Sequence, residues 1–473
     1  MAIVHENLPE PDVQQSLHKL RGQLQGSLIE PQDPLYDEAR AVWNGMVDLR
    51  PRAIARAGAV SDIDLVLASA RRSGLALAVR GGGHNIAGHG TVHGGLVLDL
   101  GALREVRIDA QSRRVVVEPG ATLGDVDRAT AAQGLAVPLG VISGTGVAGL
   151  TLGGGVGWLT RTGGLSLDNL DSVDVVTPAG EHVHASAEEN PELFWGVRGG
   201  GGNFGVVSSF TFRALALPAA PLGGNLFYRP EHWRNAFLAF EAWTRALPDD
   251  MNSIVSFLVL PAEFGMGSQP WMAIGFAWVA EDQQAGLGLV DQLRAAAPPD
   301  GEEVGPTSWP EWQSAMDAVF PKGSRGYWKN VSFSRLDEEV VDAVLGFASE
   351  LAWEGTGIDI HHLEGAFGRV PENDTAFPNR SARYWLNVYG FWHDAAEDER
   401  LTAFARKAHS TMQPFAEQGE YVNFLGAEVG VQAPDAARSA YGQDKYQRLV
   451  ALKDRYDPQN LLRLNHNIPP SGG

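Results

Sequence analysis

Arg80-Gly81-Gly82-Gly83-His84-Asn85-Ile86-Ala87-Gly88 is the stretch that decides the fold. A short apolar run at residues 75–79 leads into it, and a second apolar run follows at residues 96–100. Glycine has no Cβ and tolerates positive φ, so a strand ending in three glycines can lay bare backbone against a ligand. Successive peptide N–H groups in such a turn form an anion-binding concavity. Arg80 and His84 set a permanent cation and a titratable nitrogen at its two rims.

Working outward, two more glycine clusters appear, at residues 153–157 and 199–205. Three clusters in one region suggest a long, flat, phosphate-bearing ligand, which a dinucleotide satisfies. None is a Rossmann fingerprint, because Gly153-Gly-Gly-Val-Gly157 lacks both the G-x-G-x-x-G spacing and its strand-to-helix context. No Gly-Lys-Ser/Thr occurs, which excludes a P-loop.

The chain around these clusters has 473 residues, more than one ordinary core accommodates, and its 44% hydrophobic and 20% charged content is that of a globular protein. A net charge of −20 repels phosphate backbones, so nucleic acid is not an expected partner. With no cysteine, the chain can form neither disulfides nor thiolate metal sites nor cysteine nucleophiles. Residues 1–6 lack the basic-then-apolar pattern of a signal peptide, and no apolar run approaches 18 residues. A cytoplasmic protein with no membrane partner is expected.

The first third reads as short strands and tight turns. Hairpins are predicted across residues 110–113 and across Pro178-Ala-Gly180, and a helix after Thr122 with Asp125 completing a capping box. Beyond a linker at residues 218–221 the elements lengthen. Strands are predicted at 253–260, 272–279 and 384–392, helices at 337–352 and 397–411, and a last helix at 441–456 that Asp457-Pro458 stops. Long strands alternating with helices indicate an antiparallel sheet with helices on one face.

Four motifs in order carry a resemblance. The run from Arg80 to Gly88 with Leu96-Val-Leu-Asp-Leu100 resembles the FAD-binding signature of the vanillyl-alcohol oxidase and p-cresol methylhydroxylase (PCMH) superfamily. Gly140-Val-Ile-Ser-Gly-Thr-Gly146 through Gly157 is similar to its second flavin loop, and Arg198 through Val207 to its third. The tail from Tyr441 through Pro458, with Asn460 and Asn465-His-Asn-Ile-Pro469, resembles the berberine bridge enzyme-like branch. The resemblance implies an α+β fold. A two-part PCMH-type FAD-binding domain, residues 1–214 and a returning segment 429–473, is interrupted by a substrate domain, 215–428, whose antiparallel sheet is flanked by helices.

It further implies FAD bonded through the 8α carbon to His84. The cysteine that supplies a second link in many members falls on Ile142, so His84 is the expected sole tether. Thr145 falls where the family controls oxygen access to the flavin. Its likeness to valine predicts reoxidation by molecular oxygen, giving peroxide. The cofactor-binding set is then Arg80, Gly81, Gly82, Gly83, His84, Asn85, Gly88, Thr145, Gly146, Gly149, Gly153, Gly154, Gly155, Gly157, Gly205, Val207, Asn423, Asn465 and Asn467.

A flavin takes hydride from a small organic substrate, such as an alcohol, sugar, amine or natural product, and a base removes the accompanying proton. Tyr421-Val-Asn-Phe424 resembles a family Tyr-x-Asn-Tyr strand, which puts Tyr421 and Asn423 on one side. Trp385, Asn387 and Tyr389 share a face of the 384–392 strand. Asn387 stands where some members carry a glutamate base, which turns attention to Tyr421 and Tyr389. Tyr327-Trp-Lys329 could bind an anionic or polar substrate, and Glu364 is a fallback base. The His84, His89 and His93 intervals do not share a helical face, so no metal is expected. His361-His362 and His182-x-His184 read as strand surface or pocket lining. A dehydrogenase using another acceptor, a flavin- or drug-sequestering protein and a binder of a different nucleotide stay open as alternatives.

Overall fold

A computed structural model describes residues 10–260, 262, 265–352, 355–426 and 433–472. Among these residues three larger sheets form. The first joins β1 (Ser27–Ile29), β2 (Ala53–Arg56), β3 (Leu77–Arg80) and β4 (Leu96–Asp99) in the order β1-β2-β4-β3, with β2, β4 and β3 parallel. Its strands read Ala-Ile-Ala, Leu-Ala-Val and Leu-Val-Leu, apolar on both faces as parallel strands require, and they lie under the helix Val60–Ser73. The Arg80–Gly88 loop leaves the carboxyl end of β3, where ligands bind in parallel sheets.

The second sheet is antiparallel. It holds β5 (Val106–Asp109) and β6 (Arg114–Val117). Then come β7 (Leu135–Ala136), which lies outside it, and β8 (Leu170–Val176), β9 (His182–Ser186) and β10 (Val206–Arg213). The order is β5-β6-β10-β8-β9, and β7 pairs instead with β11 (Leu215–Ala216). Both expected hairpins are present, and Thr122 and Asp125 form the expected box at the start of Leu123–Ala131.

The third sheet has seven antiparallel strands. They are β12 (Leu222–Tyr228), β13 (Met251–Leu258), β14 (Trp271–Trp278), β15 (Gly301–Pro306), β16 (Arg325–Phe333), β17 (Thr356–His362) and β18 (Tyr384–Trp392). Their order is β15-β12-β14-β13-β17-β18-β16. Helices Trp233–Thr244, Gln283–Ala296, Glu338–Ala348 and Asp398–Met412 cover one face and share its apolar core. The alternation of β18 sends Tyr384, Leu386 and Val388 into that core and leaves Trp385, Asn387 and Tyr389 on the other face.

The helix Gln443–Tyr456 packs on Pro191–Val197. Its fully buried Lys453 pairs with Asp457 at 2.7 Å and donates to the carbonyls of Asn203 and Leu462, both at 3.0 Å. Asn203 in turn accepts from the Ile468 amide, which stitches the third glycine cluster to the end of the described chain. No helix among the described residues is long and apolar enough to cross a membrane.

Candidate active site

The bare face of the seven-stranded sheet and the glycine loops enclose one continuous cavity. Its first wall is the Arg80–Gly88 loop. Arg80 is buried, pairs with Asp99 at 3.1 Å and donates to the Ala39 carbonyl at 2.6 Å. Desolvation opposes the Asp99 charge, but Arg80, the Gly101 amide and Arg56 outweigh it and hold the carboxyl below its usual range. The first and second loops touch backbone to backbone, since a Cβ on Gly82 would lie 2.5 Å from both Cα and N of Gly146.

His84 opens on the cavity but is shut off from bulk water, and this desolvation pushes its pKa down to about 4. Its ring stacks on Trp43 at 4.7 Å. Trp43 belongs to a segment stitched on both sides. The Trp43 amide donates to the Gly83 carbonyl, and the Gly323 amide to the Trp43 carbonyl. Asn44 bridges the Ile86 and Gly326 carbonyls.

Most of the expected cofactor residues line this cavity: Arg80, Gly81, Gly82, Gly83, His84, Asn85, Thr145, Gly146, Gly149, Gly153, Gly205, Val207, Asn423 and Asn465. Ile142 lies there beside Thr145. Gly88, Gly154, Gly155, Gly157 and Asn467 do not line it. These four glycines serve packing. Added Cβ atoms would strike Val47 from Gly88, Tyr421 and Phe377 from Gly154, Ser166 from Gly155 and the Leu139 carbonyl from Gly157.

The substrate-side expectations divide. Tyr421, Asn387 and Tyr389 all line the cavity. The expected strand at Tyr421 is instead a single 3-10 turn, Val422–Phe424. Tyr421 and Asn423 still meet, because the Asn423 amide donates to the Tyr421 hydroxyl at 3.0 Å and to the Leu150 carbonyl at 2.9 Å. The Tyr421 oxygen also accepts from the Gly155 amide at 2.8 Å. Burial raises the Tyr421 pKa, opposite to what a base requires. Its geometry is that of a brace between the glycine loop and the 421–424 turn.

Lys329 and Glu364 are not lining residues. Strand alternation places Trp328, between Tyr327 and Lys329, on the cavity wall. Glu364 bonds His362 at 2.8 Å and Arg383 at 3.2 Å, and its pKa lies below the usual range even though desolvation opposes this. His361 lines the cavity while His362 faces away, and His182 and His184 are exposed on β9 against Asp64 and Asp174. Among the described residues no three His, Cys, Asp or Glu are grouped to hold a metal.

A carboxylate that the sequence reading passed over stands on the sheet wall. Asp359 of β17 lies opposite Asn387 in register. It accepts from the Ser256 hydroxyl at 2.6 Å and from the Tyr389 hydroxyl. Desolvation pushes its pKa up to about 6 against those two hydrogen bonds. Gly357 makes the pairing possible, since a Cβ there would come within 2.7 Å of the Tyr389 oxygen. The signal in the sequence was Ile358-Asp-Ile-His361, a polar residue at every second position of an apolar strand, where aspartate is otherwise depleted. Asn203, Tyr441 and His466, which fall inside the quoted motifs, and His89 also line the cavity, although none was in the expected cofactor-binding set.

Comparison with known proteins bears on this arrangement. Residues 51–186 match the family model described as "FAD binding domain", and residues 420–469 match "Berberine and berberine like". (R)-6-hydroxynicotine oxidase of Paenarthrobacter nicotinovorans is 30% identical over 459 residues, covering 95% of this chain and 98% of that one. The structure of 6-hydroxy-D-nicotine oxidase from Arthrobacter nicotinovorans matches with a TM-score of 0.84 at 27% identity, over 95% of this chain and 98% of that one. The fold is also that of a glucooligosaccharide oxidase from Acremonium strictum, described as carrying a 6-S-cysteinyl, 8α-N1-histidyl FAD. There the TM-score is 0.83 at 21% identity, over 95% of this chain and 97% of that one.

The cavity fits FAD on its own terms. His84 Nε2, Arg80 Nη1, Asn465 Oδ1 and His466 Nε2 are buried without hydrogen-bond partners among the described residues, and each belongs to a lining residue. Buried polar atoms are almost always satisfied, so such a cluster marks the place of a polar ligand. The chain belongs to the berberine bridge enzyme-like FAD-linked oxidases of the vanillyl-alcohol oxidase/PCMH superfamily and is an FAD-dependent oxidoreductase of small organic substrates.

Proposed function

We propose that the chain is an oxidase in which His84 alone tethers FAD, Asp359 takes the substrate proton and molecular oxygen is the final acceptor. The observation that carries this reading is the Ser256–Asp359–Tyr389 cluster on the cavity wall. When bound, FAD supplies the two-electron acceptor for the substrate C–H bond.

The residues of the chain do the rest. Asp359, with a pKa of about 6, is ionised at neutral pH and basic enough to accept an O–H or N–H proton. Tyr389 and Ser256 fix its orientation. Asn387, opposite it, has a buried side-chain oxygen with no partner among the described residues, available to a substrate donor. His84 would be the anchor, because its imidazole is neutral above about pH 4 and its Nε2 is unengaged. With Ile142 beside the cavity and no cysteine in the chain, no second thioether link can form. Thr145 would leave room for oxygen.

The partition into 1–214, 215–428 and 429–473 is supported by sheet membership. The first two sheets precede residue 214, and the seven-stranded sheet lies between 222 and 392. The test is turnover under air with a peroxide assay, beside Asp359→Asn. Peroxide in step with product supports the oxidase. Turnover with a dye acceptor and no peroxide would make it a dehydrogenase.

A further inference from the structure

The His84 imidazole is held by a surface rather than by a neighbour's hydrogen bond. Its Nε2 has no partner among the described residues, and the bond the ring does make is to its own backbone. Rotation of a histidine ring about its last torsion is broad and roughly two-fold, so without an outside partner packing selects the ring plane. Trp43 supplies that packing. The two rings stack with centroids 4.7 Å apart and planes 29° from parallel, and no other ring stacks on His84 among the described residues.

Trp43 can set a plane because it is itself held. Its indole is buried, with Phe391 edge-on at 5.2 Å and Trp328 tilted against it at 5.8 Å. A Cβ on Gly326 of β16 would come within 3.3 Å of the indole, and one on Gly45 would strike the Gly323 carbonyl. The segment therefore lies flush against residues 323–326. Its backbone is pinned on the opposite side by the 2.9 Å bond from the Trp43 amide to the Gly83 carbonyl. The indole face is thus fixed by the seven-stranded sheet and presented to the ring on the glycine loop, and both rings line the cavity.

We propose that Trp43 is the positioning residue for flavin attachment, its indole face setting the plane in which the His84 imidazole meets the 8α carbon of FAD. This rests on the single-tether reading above. In that step a C–N bond forms between the imidazole and the 8α carbon, while one C–H and one N–H bond break. The two protons and two electrons released reduce the isoalloxazine ring, and molecular oxygen then takes them as hydrogen peroxide. Trp43 enters no bond. It removes the turning of the imidazole that would otherwise have to be lost on the way to reaction. The same indole covers the ring from water, so its removal would let the proton affinity of His84 climb from about 4 toward the ordinary 6.5.

The test uses the full-length chain purified free of flavin and mixed with FAD, with attachment followed as the fluorescent band in denaturing gels. At neutral pH, Trp43→Leu should slow attachment about 10–100-fold. Trp43→Phe, which keeps a ring face, should recover most of the rate. FAD affinity in the His84→Ala background, read by flavin fluorescence quenching, should be the same with and without Trp43→Leu. The acid limb of attachment should move up in Trp43→Leu, from about pH 4 toward 6.5, which a loss of folding would not produce. Attachment in Trp43→Leu at the wild-type rate would overturn the proposal. So would Trp43→Phe no faster than Trp43→Leu, or a fall in FAD affinity that accounts for the whole loss. A wild-type chain with no fluorescent band, or a band that persists in His84→Ala, would instead remove the tether itself and this proposal with it.

Discussion

The Tyr389 hydroxyl donates to the Asp359 carboxylate across the β17–β18 pair, in the space that Gly357 leaves by having no side chain. The phenol's own pKa is driven well above its usual value, first by burial and then by the neighbouring carboxylate. Tyr389 therefore stays protonated, and in the proposed reaction proton acceptance falls to Asp359.

Asp359→Asn should lower kcat roughly 10²–10⁴-fold, the usual contribution of a positioned base. A base must be ionised, so kcat/KM in the wild type should rise with pH through about 6 and then level off. The asparagine variant should lose that limb. Steady-state kinetics from pH 5 to pH 8 read both effects, and an unchanged limb in the variant would remove Asp359 from this role.

Flavin attachment should follow the free imidazole of His84. Gel fluorescence of the denatured protein should disappear in His84→Ala. Attachment to apoprotein should proceed at a constant rate above about pH 5 and slow as pH falls toward 4, where the ring gains a proton. A second thioether-type adduct by mass spectrometry would contradict the single tether.

Thr145→Leu should slow reoxidation by oxygen and leave anaerobic reduction of the flavin unchanged. Stopped-flow traces of the two half-reactions separate these effects. Equal slowing of both would place Thr145 on the substrate path rather than the oxygen path.

Gly82→Ala would force two backbone segments apart, because its Cβ falls 2.5 Å from Gly146. It should cost about 1–3 kcal/mol and reduce FAD content. A Cβ on Gly149 meets nothing within 4 Å, so Gly149→Ala should leave apoprotein melting unchanged.

Lys453→Met should strip the buried Asp457 of its only cationic partner among the described residues. Breaking such a pair costs about 3–5 kcal/mol, read as a lower denaturation midpoint. Changing Lys453 and Asp457 together to Met and Leu should recover part of that loss.

What the sequence made legible was local. The capping box at Thr122, both hairpins and the alternation of β18 each follow from neighbours in the chain. The glycine loops are legible for the same reason, although their shape alone does not separate a glycine that faces the cavity from one that packs, as Gly153 and Gly154 illustrate. Asp359 was not legible as the proposed base, because its setting comes from register with Asn387 and from Ser256, 103 residues away. Trp43 acquires a role only through Gly83 and Gly323. Tyr421 kept its predicted neighbour and lost its predicted strand, since a 3-10 turn also brings residues two apart together.

The Asn44 bridge joins positions 282 residues apart in the chain, tying the wall around His84 to β16. During synthesis the histidine loop emerges long before its roof can exist. The enclosure that keeps its ring neutral is complete only after the ribosome has delivered more than two-thirds of the protein. On the proposed tether, cofactor attachment would thus be a late event in the life of the nascent chain, and a truncated product would present the histidine to water rather than to flavin.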